Sequence, residues 1–327
     1  MFLHPVYMMF FMIMILSTLL MMSTNSWLMT WVIIEINMLV FIPLINMKKS
    51  KYQSESALKY FITQATASVL IILSLFSLFN FNNMTSSILT MALMLKMGVA
   101  PLHQWMPAIC EGLTWEVMLI LMIPQKVGPL ILIYQTLMPK HSNYKLSLFI
   151  LLTTLVGSIG GLINFSLRKI MIYSSITHAG WMLTAIMINL NLWISYFIIY
   201  MLISVSIVMN FNNMKINTLK QMFFINNSVL KYTMMIMFLS IAGLPPFSGF
   251  LAKYLVILSM SFSTNKILVL PLILTTLMSL FFYTRIILMN MFSINSKFYL
   301  PLNPKDNNNK IIMMNMIALS GGWVMFM

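Results

Sequence analysis

Apolar runs long enough to cross a bilayer follow one another through almost the whole chain, separated by short polar links. They lie at 6–23, 27–46, 57–79, 87–108, 114–136, 145–163, 170–188, 190–210, 229–258, 266–291 and 310–327. A hydrocarbon core of ~30 Å is crossed by about 20 helical residues. Within it every backbone N–H and C=O must find an internal partner, which a helix supplies by itself. The chain is 60% hydrophobic and only 7% charged, with mean hydropathy +0.92, whereas a soluble domain carries about 25% charged residues. The expected fold is an all-α polytopic membrane protein of about 11 transmembrane helices, forming a single membrane domain over 1–327. The N-terminal stretch MFLHPVYMMFFMIMILSTLLMMS has no cleavable leader pattern and reads as the first span.

The formal net charge of +14 is mostly an orientation signal. Numbering the spans in order places Lys48, Lys49, Lys51, Lys59, Arg168, Lys169, Lys215, Lys220, Lys231, Lys297, Lys305 and Lys310 on the face that holds the N-terminus. The other face holds Lys140, Lys145 and Lys266. That asymmetry predicts the N-terminus on the matrix or cytoplasmic side and the C-terminus outside. Methionine occurs 37 times, mostly where Leu or Ile would serve, and the links are rich in Asn. An A/T-rich genome that reads AUA as Met, as many animal mitochondrial genomes do, gives this pattern; flexible packing by Met is the plainer alternative. One cysteine, Cys110, excludes a disulfide framework, a four-cysteine cluster and a zinc site built by this chain alone. There is no GxGxxG or Walker loop to suggest a nucleotide site.

Removing the surface charges leaves Lys96, Lys126, Lys253 and Arg285 within the spans. Arg285 is near a span end and can snorkel. Lys96 stands in LMLKMGVAPLHQW (93–105), where placing a lysine at a helix centre costs roughly 2.5–3.5 kcal/mol. Glu35, in WVIIEINMLVFIP, is too short to snorkel and calls for a cationic partner, for which Lys96 is the choice. Lys126 (MIPQKVGPL), His178 (SSITHAGWML) and Lys253 (GFLAKY) complete a set at similar depth. For Lys253 the plainer alternative is an ammonium that satisfies an interrupted backbone, and for His178 a hydrogen-bonded packing residue. His103, Glu111 and Glu116 are weaker candidates; Trp27, Trp31, Trp115 and Trp193 read as belt residues at the interfaces.

MGVAPL (97–102) and AGLPPF (242–247) share a Gly, small or apolar residues, a Pro and a bulky apolar residue. They interrupt the fourth and ninth spans, five spans apart. Helices 1–5 and 6–10 are then inverted repeats, over 1–136 and 145–291, followed by a C-terminal helix at 310–327. Paired Gly/Pro interruptions beside buried charges point to an ion path. A lysine there can switch between holding and releasing a proton as a neighbouring carboxylate moves or is neutralised. The five residues Glu35, Lys96, Lys126, His178 and Lys253 then form a lateral proton relay, bridged by water where needed.

NSWLMTWVIIEINMLVFIPL (25–44), ESALKYFITQATAS (55–68), LKMGVAPLHQWMP (95–107), QKVGPL (125–130), LRKIMIYSSITHAGWML (167–183) and GLPPFSGFLAKY (243–254) resemble the subunit 2 family of mitochondrial NADH dehydrogenase, antiporter-like membrane subunits of respiratory complex I. The resemblance implies an eleven-helix form with inverted five-helix repeats. It makes Glu35 and Lys96 the charge pair, Lys126 the connecting lysine and Lys253 the terminal lysine. Pro124 stands where the family usually has an aromatic residue, and AKY (252–254) replaces its PKW. The function implied is to couple quinone reduction elsewhere in the complex to outward proton movement across the mitochondrial inner membrane. NADH, flavin, iron–sulfur clusters and ubiquinone are expected in other subunits and no cofactor in this chain. The expected partners are other complex I membrane subunits, antiporter-like neighbours among them, and lipids, with no nucleic acid. The alternatives are an independent cation/proton antiporter and a structural membrane spacer.

Overall fold

The computed structural model describes residues 5–24, 26–47, 49–76, 82–137, 144–225, 228–262 and 266–291. The expected span at 310–327 lies outside them. The described residues form thirteen α-helical segments, and eight helices are long and apolar enough to cross a membrane. The chain divides into two compact units, Met1–Tyr144 and Lys145–Met327.

In the first unit the order is α1 (Pro5–Ser23), α2 (Trp27–Ile45), α3 (Lys51–Phe76), α4 (Asn82–Met97), α5 (Trp105–Cys110), α6 (Trp115–Met122) and α7 (Pro124–Leu137). α3 packs against α2, α4 and α5, while α7 packs against α1 and α4. Apolar residues cover the outside as well as the inside: Met9, Met12 and Leu16 of α1 are more than half exposed. That suits a helix whose outer face meets lipid rather than water. Serine and threonine hydroxyls in the spans commonly bond to their own helix, as when Ser17 donates to Met14 O at 2.7 Å and Thr30 to Trp27 O at 2.7 Å.

The expected fifth span is present over Trp115–Thr136, with an irregular turn at its middle that separates α6 from α7. α6 stops at Met122, and Ile123 takes φ −114°, ψ −77° before Pro124 opens α7. Proline has no N–H to give the carbonyl four residues back, and its ring crowds the preceding residue, so Ile123 departs from regular helical angles while staying on the right-handed side. Lys126 therefore sits in the first turn of a new helix.

The second unit comprises α8 (Tyr144–Ile163, its first residue at the boundary), α9 (Leu167–Ile188), α10 (Leu190–Met214), α11 (Ser228–Ala242), α12 (Ser248–Ser261) and α13 (Val269–Met291). α9 is its axis, buried along nearly its whole length and packed on α10 and α12. Gly249 of α12 allows α11 to come close: a Cβ there would lie 1.8 Å from the Ser240 carbonyl oxygen. Arg285 does not simply extend along apolar surface. Its guanidinium donates to Gly161 O (3.2 Å), Leu162 O (2.7 Å) and Asn164 O (2.6 Å) around the end of α8. Trp115 and Trp193 are buried within the protein rather than set in an interfacial belt.

Candidate functional site

α4 and α11 end in the same way. Gly98 (φ +65°) and Gly243 (φ +82°) occupy the left-handed position after the last helical residue. Around the first, Val99 N–H donates to Met94 O and Gly98 N–H to Leu95 O; around the second, Leu244 N–H donates to Leu239 O and Gly243 N–H to Ser240 O. This paired pattern is the Schellman turn, which glycine forms without a Cβ clash. A helix ending inside an apolar bundle leaves carbonyls that need donors, and side chains supply them. At α4 the Trp105 indole donates to Leu95 O at 3.0 Å and Gln64 Nε2 to Lys96 O at 3.5 Å. At α11, Lys253 Nζ donates to Ala242 O at 2.8 Å.

In the first unit, Glu35 lies half-buried on α2, Lys96 is 6% exposed in the last turn of α4, and Lys126 is fully buried on α7. The expected Glu35–Lys96 pair is not a contact ion pair: among the described residues the salt bridge within 4.0 Å is Lys59–Glu55, an exposed i,i+4 pair on α3. Lys96 instead borders a cavity of about 20 Å³, lined also by Asn37, Tyr60, Gln64, Gln125 and Met21. That volume holds about one water molecule.

In the second unit, His178 is buried at the middle of α9, with Nδ1 2.7 Å from the Tyr196 hydroxyl of α10. The Tyr200 ring lies 5.0 Å away, centroid to centroid. Lys253 is 7% exposed, and its side chain crosses from α12 to the end of α11. Sequence reasoning singled out the titratable residues and passed over Asn37, Tyr60, Gln64, Gln125 and Tyr196. The signal available was an amide or phenol recurring on helices otherwise apolar, weaker than a charge because neutral polar groups cost less to bury.

The profile of the family described as "NADH:quinone oxidoreductase/Mrp antiporter, TM" matches residues 24–279. The chain is 41% identical to NADH-ubiquinone oxidoreductase chain 2 of Anopheles gambiae over 95% of its own length and 94% of that protein. It is also 41% identical to the chain 2 of Aedes aegypti, over the same shares of both chains. A chain of respiratory complex I from Thermus thermophilus, solved with bound aureothin, superposes with TM-score 0.85 at 21% identity, covering 98% of this chain and 79% of that one. Near-complete coverage at this identity leaves one assignment: the chain belongs to the NADH-ubiquinone oxidoreductase chain 2 family.

Proposed function

We propose that this chain is a core membrane subunit of NADH:ubiquinone oxidoreductase, respiratory complex I, carrying proton transfer and no redox centre. Quinone reduction elsewhere in the complex drives proton movement through Glu35, Lys96, Lys126, His178 and Lys253. The observation that carries this reading is Lys96, a buried ammonium at a glycine-terminated helix end beside a water-sized polar cavity. A structural spacer gains nothing from such a group, whereas a relay needs a base that can exchange its proton with water.

We read the two compact units, Met1–Tyr144 and Lys145–Met327, as holding one repeat each. We read α4–α5 and α11–α12 as the interrupted fourth crossing of each repeat, and the matching Schellman turns support that reading. NADH, flavin, iron–sulfur clusters and ubiquinone belong to other subunits in this account. The partners are other complex I membrane subunits, with antiporter-like neighbours among them, and lipids. The setting is the mitochondrial inner membrane, with the N-terminus toward the matrix and the C-terminus toward the intermembrane space.

A native gel of gently solubilised membranes, stained for NADH oxidation and probed for this chain, tests the assembly. Co-migration with a very large NADH-oxidising band is the expected result. A small oligomer away from that activity would overturn it in favour of an independent cation/proton antiporter.

A further inference from the structure

The Lys96 cavity is framed by a hydrogen-bonded chain of neutral groups that joins α2, α3 and α7. Tyr60 of α3 donates its hydroxyl to Gln125 Oε1 at 3.3 Å, and Gln125 Nε2 of α7 donates to Asn37 Oδ1 of α2 at 2.9 Å. The Tyr60 ring is itself fixed edge-on against Phe41 at 4.8 Å and Trp105 at 6.1 Å. Trp105 in turn donates to Leu95 O, one residue before Lys96. Gln125 thus has both ends of its amide committed, and its orientation is set by the helices on either side.

The Lys96 ammonium carries three donors and has no protein hydrogen-bond partner for them among the described residues. Its 6% exposure leaves little bulk water to serve instead. The cavity offers room for about one water. Around that space Tyr60 still has an oxygen lone pair to offer, and Gln125 Oε1 has a second.

We propose that Gln125 is a positioning residue for proton transfer at Lys96. Held between Tyr60 and Asn37, it orients a single water against the ammonium. That water takes the Lys96 proton as it releases one of its own toward the next amine of the relay, so an N–H bond breaks and water is regenerated. Gln125 gains and loses no proton. Its role is to keep the water's lone pair toward Lys96, because a misoriented water would have to rotate before each transfer. The inference rests on the reading of Lys96 as a relay residue.

The test uses the assembled complex in proteoliposomes, with Gln125→Met, which keeps the length and removes both ends of the amide, and Tyr60→Phe, which removes one oxygen. Coupled NADH turnover per assembled complex should fall about two- to tenfold, the change expected from one neutral hydrogen bond. Its solvent deuterium isotope effect should rise above that of the parent as transfer at Lys96 becomes limiting. Lower thermal stability with turnover and isotope effect unchanged in both variants would overturn the proposal and leave the chain of amides a structural tie. Where Gln125→Met does not assemble, Tyr60→Phe decides by the same readouts. Lys96→Met, run alongside, separates the two claims. Pumping retained in Lys96→Met sinks the relay reading itself, while pumping lost there with normal Gln125→Met and Tyr60→Phe sinks only the positioning role.

Discussion

Replacing Lys253 with Met should loosen the end of α11 by an amount the structure allows to be estimated. Nζ donates to Ala242 O at 2.8 Å, on the last residue of the helix and beside a left-handed Gly243. A hydrogen bond to a charged group contributes about 1.5–3 kcal/mol, and a cation at a helix C-terminus adds about 0.3–1 kcal/mol. Taking about 2 kcal/mol for local opening, the Gly243 and Leu244 amides that close the Schellman turn should exchange about thirtyfold faster. Hydrogen–deuterium exchange on peptides covering 239–250 in the assembled complex reads this directly. Gly243→Ala should act in the same direction by a different route. Its Cβ would lie 3.0 Å from Lys253 Cδ and 3.1 Å from Nζ, and a left-handed non-glycine residue costs about 1–2 kcal/mol. Exchange in Lys253→Met within about twofold of the parent would refute the capping role and the energies assigned to it. The same lysine can both satisfy the backbone and relay protons; the exchange experiment isolates the first of these.

Gly249→Ala would put a methyl group 1.8 Å from Ser240 O. Overpacking against backbone costs about 1–3 kcal/mol or more, so the level of assembled complex on a native gel should drop sharply. Arg285→Lys keeps the charge but replaces a planar fork over three carbonyls with a point charge. A loss of about 1–3 kcal/mol is expected, read as a lower thermal midpoint of the complex. Gly128→Ala would place a Cβ 2.4 Å from Met21 Sδ, on the wall of the Lys96 cavity. Coupled turnover should fall while the complex still assembles, and an unchanged turnover would show that the wall can yield. Glu55→Gln, which breaks the exposed ion pair with Lys59, should alter stability by no more than about 1 kcal/mol in a thermal melt.

Run length alone made α1, α2, α3, α8, α9, α10 and α13 legible, because one long helix is the cheapest way to satisfy backbone in lipid. The helix ends at Gly98 and Gly243 were legible from Gly followed closely by Pro. The stop at Ile123 was not, although Pro124 marked it, because an apolar window averages over one missing N–H. Lys96 and Lys253 announced themselves by the cost of their charge. What each one touches did not follow from that. The distance from Glu35 to Lys96 depends on how α2 and α4 cross, whereas Lys253 satisfies an interrupted backbone, as the plainer reading of it had it, at a carbonyl eleven residues away. Arg285 was legible as a charge near a span end, but not as the fork over the end of α8, a contact across more than a hundred residues. Gln125 and Tyr60 carry no charge and so mark the sequence more weakly than a lysine does; only the packing of α2, α3 and α7 brings them to one cavity.

The central claim is that Lys96 exchanges protons during turnover, and proton uptake by proteoliposomes containing the assembled Lys96→Met complex tests it most directly. The account predicts that a pH gradient driven by NADH oxidation is abolished or severely reduced in that variant, compared with the parent at equal content of assembled complex. A gradient that forms at the parental rate and extent would contradict it, and Lys96 would then be a structural residue of α4.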